Sequence, residues 1–334
     1  MNAAIVHGGG ITAAAAIYGG EAEYWLDLST GINPCPVPVP EIPMCAWHRL
    51  PDRHLIDQAR AAAQSYYRSG DILPLPVPGT QSLIQLLPRL FDGGGKRVAI
   101  LAPTYGEYER AFLMAGCCVD LIADLDDVRA DHAVVVVVNP NNPDGRLYAP
   151  ERLVALSEEM KARGAVVIVD EAFGDTYPEM SLVPLASRMP NVLISRSFGK
   201  FFGLAGLRLG FVVAALSIVE RIEGLLGPWA VSGPALSIAV DLLRSDIAPI
   251  QLRITERSGA LRKVLDQGGL RIIGGTDLFA LVDHKQAAQL HRHLCQHHIL
   301  VRKFDYQPRW LRFGLTADAA GDQRLSDALQ SYTS

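Results

Sequence analysis

The sequence lacks several features that mark particular classes of protein. Its five cysteines are odd in number and form no C-x-x-C pair, which argues against a disulfide framework and against a zinc ribbon. Basic residues number 31 against 35 acidic ones and form no cluster, so no nucleic-acid partner is expected. The chain also has no secretory leader pattern and no long uncharged apolar run. A cytoplasmic protein without a membrane partner is therefore expected.

The composition that remains is that of a folded protein of about two domains. A chain of 334 residues with 49% hydrophobic content can bury a full core. Residues 46–226 alternate short apolar strands with helical segments, which predicts an α/β domain with a mostly parallel sheet covered on both faces. Residues 227–334 begin with a long predicted helix that runs from after Pro234 through Leu265. They then alternate strands and helices on a smaller scale, which predicts a second, α+β domain.

Four predicted strands of the first domain are each followed by a side chain suited to chemistry. The strands cover residues 98–101, 134–138, 166–169 and 191–194, and the residues that follow them are Tyr105, Asn142, Asp170 and Lys200. In parallel sheets ligands bind beyond the carboxyl ends of the strands. Each residue alone has an ordinary explanation, as packing, a turn, a helix cap or a surface lysine. Their conjunction favours a binding site.

Lys200 lies in a glycine- and serine-rich stretch, residues 195–210, between two apolar runs. Burial lowers the pKa of a lysine ammonium group, and an uncharged amine can form a Schiff base with a carbonyl. A second signal is Gly79-Thr80-Gln81 before a predicted helix, because the first N–H groups of a helix can bind an anion.

Three weaker motifs lack the partners they require. His7-Gly-Gly-Gly resembles an esterase oxyanion hole, but no Gly-x-Ser-x-Gly follows. Ser197-x-x-Lys200 occurs in penicillin-recognising enzymes, but their Ser-Asp-Asn and Lys-Thr-Gly motifs are missing. His293 and His297 have metal-ligand spacing on a predicted helix, but no acidic residue accompanies them, so no metal is expected.

Three motifs in a fixed order carry a resemblance to a known family. They are Asn-Pro-Asn-Asn-Pro-x-Gly at 139–145, Val-Asp-Glu-Ala-Phe at 169–173 and Ser-x-Ser-x-x-Lys-x-x-Gly-Leu-Ala-Gly-Leu-Arg-x-Gly at 195–210. Together they resemble pyridoxal-phosphate (PLP) enzymes of the aspartate aminotransferase fold, fold type I. The resemblance implies a large domain with a mostly parallel seven-stranded sheet flanked by helices. It also implies a smaller α+β domain built from both chain ends, to which residues 1–45 contribute, and a homodimer with its active site at the interface.

The resemblance also assigns roles to residues. Lys200 would bind the cofactor covalently and move protons, and Asp170 would pair with the ring nitrogen. Asn142 would contact the phenolic oxygen, and Tyr105 would stack on the ring. The other implied cofactor contacts are Phe173 beside the ring, and Gly79, Thr80, Gln81, Ser197 and Arg208 at the phosphate.

Within the fold, two sister groups are similar to this sequence: histidinol-phosphate aminotransferases and threonine-phosphate decarboxylases of cobalamin biosynthesis. The start at His7, the Pro228-Trp229 segment and Phe173 in place of the aminotransferases' usual tyrosine favour the decarboxylases. The expected reaction is decarboxylation of L-threonine O-3-phosphate to (R)-1-amino-2-propanol O-2-phosphate. A histidinol-phosphate or other amino-acid aminotransferase is the alternative. A non-catalytic PLP-binding regulator is a remote alternative, because such regulators generally carry a DNA-binding domain and this sequence shows no segment for one.

Substrate contacts follow from the same resemblance. Residues expected to contact the substrate are His7, Gly8 and Asn142. Arg312 matches the family's arginine for the substrate carboxylate. We hypothesise that His7, Gly8 and Arg312 grip the substrate phosphate instead. Leu50 stands where much of the family has a tyrosine that reaches the partner subunit's cofactor phosphate, so that contact is not carried over.

Overall fold

The computed structural model describes residue 5, residues 7–92 and residues 94–333. Its contacts divide the chain into two compact units. The small unit takes the residues up to Pro36, the tripeptide Pro143–Gly145 and the residues from Ala248 onward. The large unit takes Val37–Asn142 and Arg146–Ile247.

Strands and helices alternate along most of the chain. The strands are β1 Leu26–Leu28, β2 Leu75–Val77, β3 Arg97–Leu101, β4 Cys118–Ile122, β5 His132–Val138, β6 Val166–Asp170, β7 Val192–Ser197, β8 Gly210–Ala214, β9 Arg271–Thr276, β10 Phe279–Asp283, β11 Ile299–Lys303 and β12 Trp310–Gly314. The α-helices are α1 Ile11–Tyr18, α2 Met44–His48, α3 Arg53–Tyr67, α4 Thr80–Leu90, α5 Glu107–Met114, α6 Pro150–Ala162, α7 Phe198–Phe201, α8 Leu216–Leu226, α9 Gly233–Leu242, α10 Ala248–Gln267, α11 Ala287–Gln296 and α12 Ala319–Thr333.

The large unit is built on a seven-stranded sheet in the order β2-β8-β7-β6-β5-β3-β4. Strands β3 to β7 run parallel, whereas β8 is antiparallel to β7 and β2 is antiparallel to β8. The unbroken valines of β5 are almost fully buried, as expected for a central strand covered on both faces. The predicted fold class, an α/β fold with a mostly parallel seven-stranded sheet, is confirmed.

The small unit joins both ends of the chain in one five-stranded sheet of order β1-β11-β12-β10-β9. The N-terminal strand β1 pairs in parallel with β11, with Leu26 opposite Ile299 and Leu28 opposite Val301. The C-terminal strands β9, β10, β11 and β12 pair antiparallel among themselves. This unit therefore depends on contacts between residues almost 300 positions apart.

The unit boundaries differ from those drawn on the sequence, which were 45/46 and 226/227. Val37 donates its N–H to the carbonyl of Phe202, 3.1 Å away, which ties the proline-rich run to the large unit. Gly233 at the start of α9 lies so close to α2 that an added Cβ would be 2.4 Å from the Ala46 oxygen. Residues 37–45 and 227–247 therefore belong to the large unit by their contacts.

The C-terminal helical stretch, predicted as one long helix, is two helices. Helix α9 ends at Leu242 and α10 begins at Ala248, one residue before Pro249. Proline has no N–H to donate and is accommodated in the first turn of a helix, so it fits a new helix better than the interior of a long one. Among the residues that the structure describes, no helix is both long enough and apolar enough to cross a membrane.

A buried ion-pair cluster joins β6 and β7 in the large unit. Arg196 is only 3% exposed, and its Nη1 donates to Glu171 Oε2 at 2.7 Å. Its Nη2 lies 3.0 Å from Asp175 Oδ1, and its guanidinium carbon lies 4.6 Å from the ring centroid of Tyr67. One guanidinium group is thus the shared counter-charge of two buried carboxylates next to the carboxyl ends of the central strands.

Removing that charge is expected to destabilise the protein strongly. Arg196→Met leaves Glu171 and Asp175 buried without their counter-charge, which costs about 3–5 kcal/mol in comparable pairs. Urea unfolding should show a lower free energy of unfolding. The matched control is Arg53→Met, because Arg53 is 92% exposed in its pair with Asp57 and its removal should leave the unfolding midpoint unchanged. Equal midpoints for both variants would contradict this account of the cluster.

Candidate active site

The predicted site residues of the large unit collect where its central strands end. Strands β5, β6 and β7 are adjacent and parallel, so their carboxyl ends meet at one edge of the sheet. Asp170 is the last residue of β6, and its register partner on β7 is Ser195. Lys200 lies in the short helix α7, which follows β7 directly.

Asp170 is held by donors from three directions. Its Oδ2 accepts from the Tyr108 hydroxyl at 2.9 Å, and its Oδ1 accepts from the Ala172 N–H at 2.9 Å and from Ser195 Oγ at 3.2 Å. Burial raises the pKa of this carboxyl, while Tyr108, the charge of Lys200, Ser195 and the Ala172 N–H oppose that rise. Sequence reasoning missed Tyr108 and Ser195; the helix spacing of Tyr105 and Tyr108 was the available signal for the first.

Lys200 is half-buried and lies beside Phe173. Its Nζ is 5.3 Å from the Phe173 ring centroid, and Phe173 is buried. The charge of Lys200 also opposes the rise in the pKa of Asp170, so the two side chains interact electrostatically. The structure therefore brings together Asp170, Phe173 and Lys200, which the sequence analysis had selected from separate motifs.

The start of α4 and the left-handed residue Arg208 form a narrow cradle. Gly79 has φ +74°, and a Cβ added there would lie 2.9 Å from Arg208 Nη2, so only glycine leaves the guanidinium group this close to the backbone. A Cβ added at Gly210 would lie 3.2 Å from the Thr80 nitrogen. Ser197 ends β7 next to this cradle. Arginine beside the N-terminus of an α-helix is a favourable arrangement for a phosphate group.

Tyr105 and Gln81 are linked through their side chains. The Tyr105 hydroxyl donates to Gln81 Oε1 at 2.9 Å, and Gln81 Nε2 donates to the buried carboxylate of Glu107 at 3.0 Å. The Gln81 side chain is thus bound by Tyr105 and Glu107, while its backbone N–H belongs to the first turn of α4. Glu107 is a further residue that the sequence analysis did not select.

The asparagine loop after β5 is fixed by Asn141. Its side chain donates to the Pro103 oxygen at 2.9 Å and accepts from Thr104 Oγ1 at 2.6 Å, which joins the ends of β3 and β5. Asn142, the predicted cofactor and substrate contact, is half-buried directly after it. The loop motif therefore contains one asparagine, Asn141, that links two strand ends, and Asn142 follows it at the same edge of the sheet.

The candidate substrate residues of the small unit meet at Ser29. Arg312 Nη2 donates to the Ser29 carbonyl at 3.0 Å, and the Gly9 N–H donates to Ser29 Oγ at 2.7 Å. A Cβ added at Gly8 would lie 2.4 Å from the Ser29 oxygen, so the glycine permits this close approach. Gly8 and the buried Arg312 therefore both approach the carbonyl oxygen of Ser29.

Arg302 was missed by the sequence analysis. It is the register partner of Arg312 across the antiparallel pair of β11 and β12. Side chains directly opposite each other project on the same face, and like charges in that position repel. The Arg312 guanidinium also lies 4.9 Å from the Phe279 ring centroid. The small unit thus concentrates positive charge on one face of its sheet.

The histidines of α11 are occupied within the small unit. His293 Nε2 lies 2.7 Å from the Ala328 oxygen, and the ring centroids of His293 and His297 are 4.6 Å apart. In the described ranges, no group of three or more His, Cys, Asp or Glu side chains is arranged to hold a metal ion.

Comparison with known proteins places this geometry in a family. The aminotransferase class I and II family model matches residues 41–329. A threonine-phosphate decarboxylase of Sinorhizobium sp is 59% identical over 329 residues, which cover 98% of this chain and 98% of the relative. A threonine-phosphate decarboxylase of Pseudomonas aeruginosa is 41% identical, over 98% of this chain and 97% of the relative. A histidinol-phosphate aminotransferase of Ruminiclostridium cellulolyticum is 29% identical, over 75% of this chain and 74% of the relative.

Solved structures support the fold. A histidinol-phosphate aminotransferase from Clostridium acetobutylicum has a TM-score of 0.80 at 23% identity, covering 92% of this chain and 98% of that one. An L-threonine-O-3-phosphate decarboxylase from Porphyromonas gingivalis has a TM-score of 0.71 at 20% identity, covering 92% of this chain and 99% of that one. With a family model over most of its length and a relative 59% identical from end to end, this chain belongs to the aminotransferase class I and II family and, within it, to the threonine-phosphate decarboxylases.

Proposed function

We propose that this chain catalyses the PLP-dependent decarboxylation of L-threonine O-3-phosphate to (R)-1-amino-2-propanol O-2-phosphate, a step of cobalamin biosynthesis. The observation that carries the proposal is 59% identity to a threonine-phosphate decarboxylase over 98% of both chains. The aminotransferase alternative has weaker support, because that relative is 29% identical over 75% of this chain. All five cysteines are free, which fits a reducing cytoplasm.

The residues of the large unit fit pyridoxal phosphate. Arg208 and the N–H groups that begin α4 offer a phosphate site, which Gly79 keeps open by having no Cβ. The buried Asp170 carries the negative charge that a protonated ring nitrogen needs. Lys200, close to Asp170 and Phe173, supplies the amine for covalent attachment.

The remaining contacts follow from position on the same sheet edge. We assign Ser197 to the phosphate, Tyr105 and Phe173 to the two sides of the ring, and Asn142 to the phenolic oxygen. Phe173 has no hydroxyl, so it contributes packing and leaves Asn142 as the hydrogen-bond donor. Tyr105 is held in place by Gln81, which orients its ring without a contribution from its hydroxyl to the cofactor.

The chain's own groups then supply the steps of the reaction. Pyridoxal phosphate, when bound, withdraws electrons from the substrate α-carbon and so allows the bond to the carboxylate to break. Asp170 keeps a proton on the ring nitrogen, because an anion there favours the protonated form. Carbon dioxide leaves with the carboxylate oxygens, and the α-carbon takes up one proton, which Lys200 Nζ delivers.

The small unit supplies the grip on the substrate phosphate. Arg302 and Arg312 face each other across β11 and β12, and a dianion between them would offset their repulsion. In the glycine segment after His7, the Gly9 N–H donates to Ser29 Oγ, and Arg312 donates to the Ser29 carbonyl. We assign the substrate phosphate to this face, with His7, Gly8 and Arg312 as predicted from the sequence and Arg302 as an addition.

The proposal includes a homodimer, supported by exposed apolar side chains on the large unit. Its α2 meets the start of α9 at Ala46 and Gly233. Large apolar side chains are exposed on α2, at Met44 and Trp47, and on the segments near these two helices, at Leu50 and Trp229. Several large apolar side chains exposed in nearby segments are typical of protein interfaces. Sedimentation equilibrium should therefore return two chains per particle, and a monomer at micromolar concentration would contradict the proposal.

The reaction is tested by offering both candidate substrates. L-threonine O-3-phosphate alone should release carbon dioxide, and histidinol phosphate with 2-oxoglutarate should give no glutamate. Lys200→Ala should abolish carbon dioxide release and the visible absorption band of the lysine-bound cofactor. The control Lys161→Ala, on the exposed side of α6, should keep both. Glutamate without carbon dioxide would establish the aminotransferase instead.

The phosphate grip is tested on the product, which carries the phosphate but no carboxylate. Arg302→Gln and Arg312→Gln should each weaken product inhibition by roughly ten- to a hundredfold, since a hydrogen bond to a charged group contributes about 1.5–3 kcal/mol. The control is Arg309→Gln, because Arg309 is exposed and paired with Asp283 in the same unit. Unchanged product inhibition in both variants, with turnover lost, would assign these arginines to the carboxylate.

A further inference from the structure

The geometry points to Tyr108 as a positioning residue for the cofactor's ring nitrogen. Its hydroxyl holds the carboxylate of Asp170 in place. Asp170 and the ring nitrogen share one proton, and the Tyr108 hydroxyl favours the form in which the nitrogen carries it. The inference rests on the proposed function, because it requires the cofactor to bind with its ring nitrogen toward Asp170.

Tyr108 is built into the site as a fixed donor. It lies in the first turn of α5 and is 1% exposed, and its hydroxyl donates to Asp170 Oδ2 at 2.9 Å. The other carboxylate oxygen accepts from Ser195 Oγ on β7 and from the Ala172 N–H. Donors on both oxygens fix the plane of the carboxylate, and they come from a helix, a neighbouring strand and the turn after β6.

The electrostatics give this donor a chemical consequence. The groups that face Asp170 are Tyr108 on α5, Ser195 on β7, Lys200 on α7 and the Ala172 N–H. Burial raises the pKa of the Asp170 carboxyl and all four oppose the rise. Burial and the Asp170 charge also raise the pKa of Tyr108 well above its usual range, so its hydroxyl stays protonated and donates.

Loss of this hydroxyl would make Asp170 a stronger base. A carboxylate and a ring nitrogen that share one proton divide it according to their relative basicity. Without Tyr108 the proton moves from the nitrogen toward Asp170, and the ring withdraws electrons less strongly. The same hydroxyl therefore affects both the position and the charge of the residue that activates the cofactor.

The test uses the holoenzyme reconstituted with pyridoxal phosphate that carries 15N in the ring. The variants are Tyr108→Phe, Asp170→Asn and the matched control Tyr66→Phe, whose hydroxyl donates to a different buried aspartate, Asp175, at 3.1 Å. The 15N resonance of Tyr108→Phe should move toward that of the unprotonated ring, and that of Tyr66→Phe should stay at the parental value. Turnover of Tyr108→Phe should fall by roughly ten- to a hundredfold, which corresponds to the free energy of one hydrogen bond to a charged group.

The outcomes separate this inference from the proposed function. If Asp170→Asn leaves the 15N resonance at the parental value, the pairing of Asp170 with the ring nitrogen fails and the inference fails with it. If Asp170→Asn moves the resonance but Tyr108→Phe does not, even where Tyr108→Phe lowers the melting temperature, Tyr108 is only structural and the inference is overturned. If Tyr108→Phe does not fold, Ser195→Ala replaces it, because it removes a donor from the same carboxylate. An unmoved resonance in Ser195→Ala overturns the inference in the same way.

Discussion

The site depends on a guanidinium group that lies on the opposite face of the sheet from the chemistry. Arg196 is buried between Glu171 and Asp175, and Glu171 also accepts from the Leu182 N–H at 2.7 Å. Buried charges are stable only when their partners are closely aligned, so this cluster fixes the ends of β6 and β7 relative to each other. Side chains alternate along a strand, so Ser195 and Ser197 project on the face opposite Arg196. The Glu171 N–H also donates to the Ser195 carbonyl at 2.9 Å, so the cluster is linked directly to a residue that holds Asp170.

A second constraint is the close approach of backbone to side chain at the start of α4. The Gly79 backbone and the Arg208 guanidinium group are too close for any Cβ at that position. Arg208 itself has a left-handed backbone, and its Nη1 donates to the Ala205 oxygen at 3.0 Å, which restrains the guanidinium group before any ligand arrives. Preorganised donors of this kind bind a charged group without a large cost of reordering. The residues that we assign to the cofactor phosphate thus all belong to the large unit.

The sequence predicted most of the large unit because its signals are local. The apolar runs at 134–138 and 166–169 correspond to β5 and β6, and Pro150 marks the start of α6. It did not predict β4, whose residues are largely exposed or half-buried at the sheet edge and so show no apolar run. It also joined α9 to α10, because both helices are apolar on one side and the break between them is short. The missed elements are those whose pattern is set by neighbours rather than by the segment itself.

The sequence alone determined the family, the cofactor and the residues proposed to bind it. Lys200, Asp170, Asn142 and Arg208 belong to motifs whose order and spacing are readable without coordinates, because each motif is a contiguous loop at a strand end. Only the tertiary structure decided which groups act on these residues. Tyr108 reaches Asp170 across 62 positions, and Arg302 meets Arg312 only through the register of two strands. Hydrogen bonds and charges act over a few ångströms in space, and the chain distance between their partners is set by the fold.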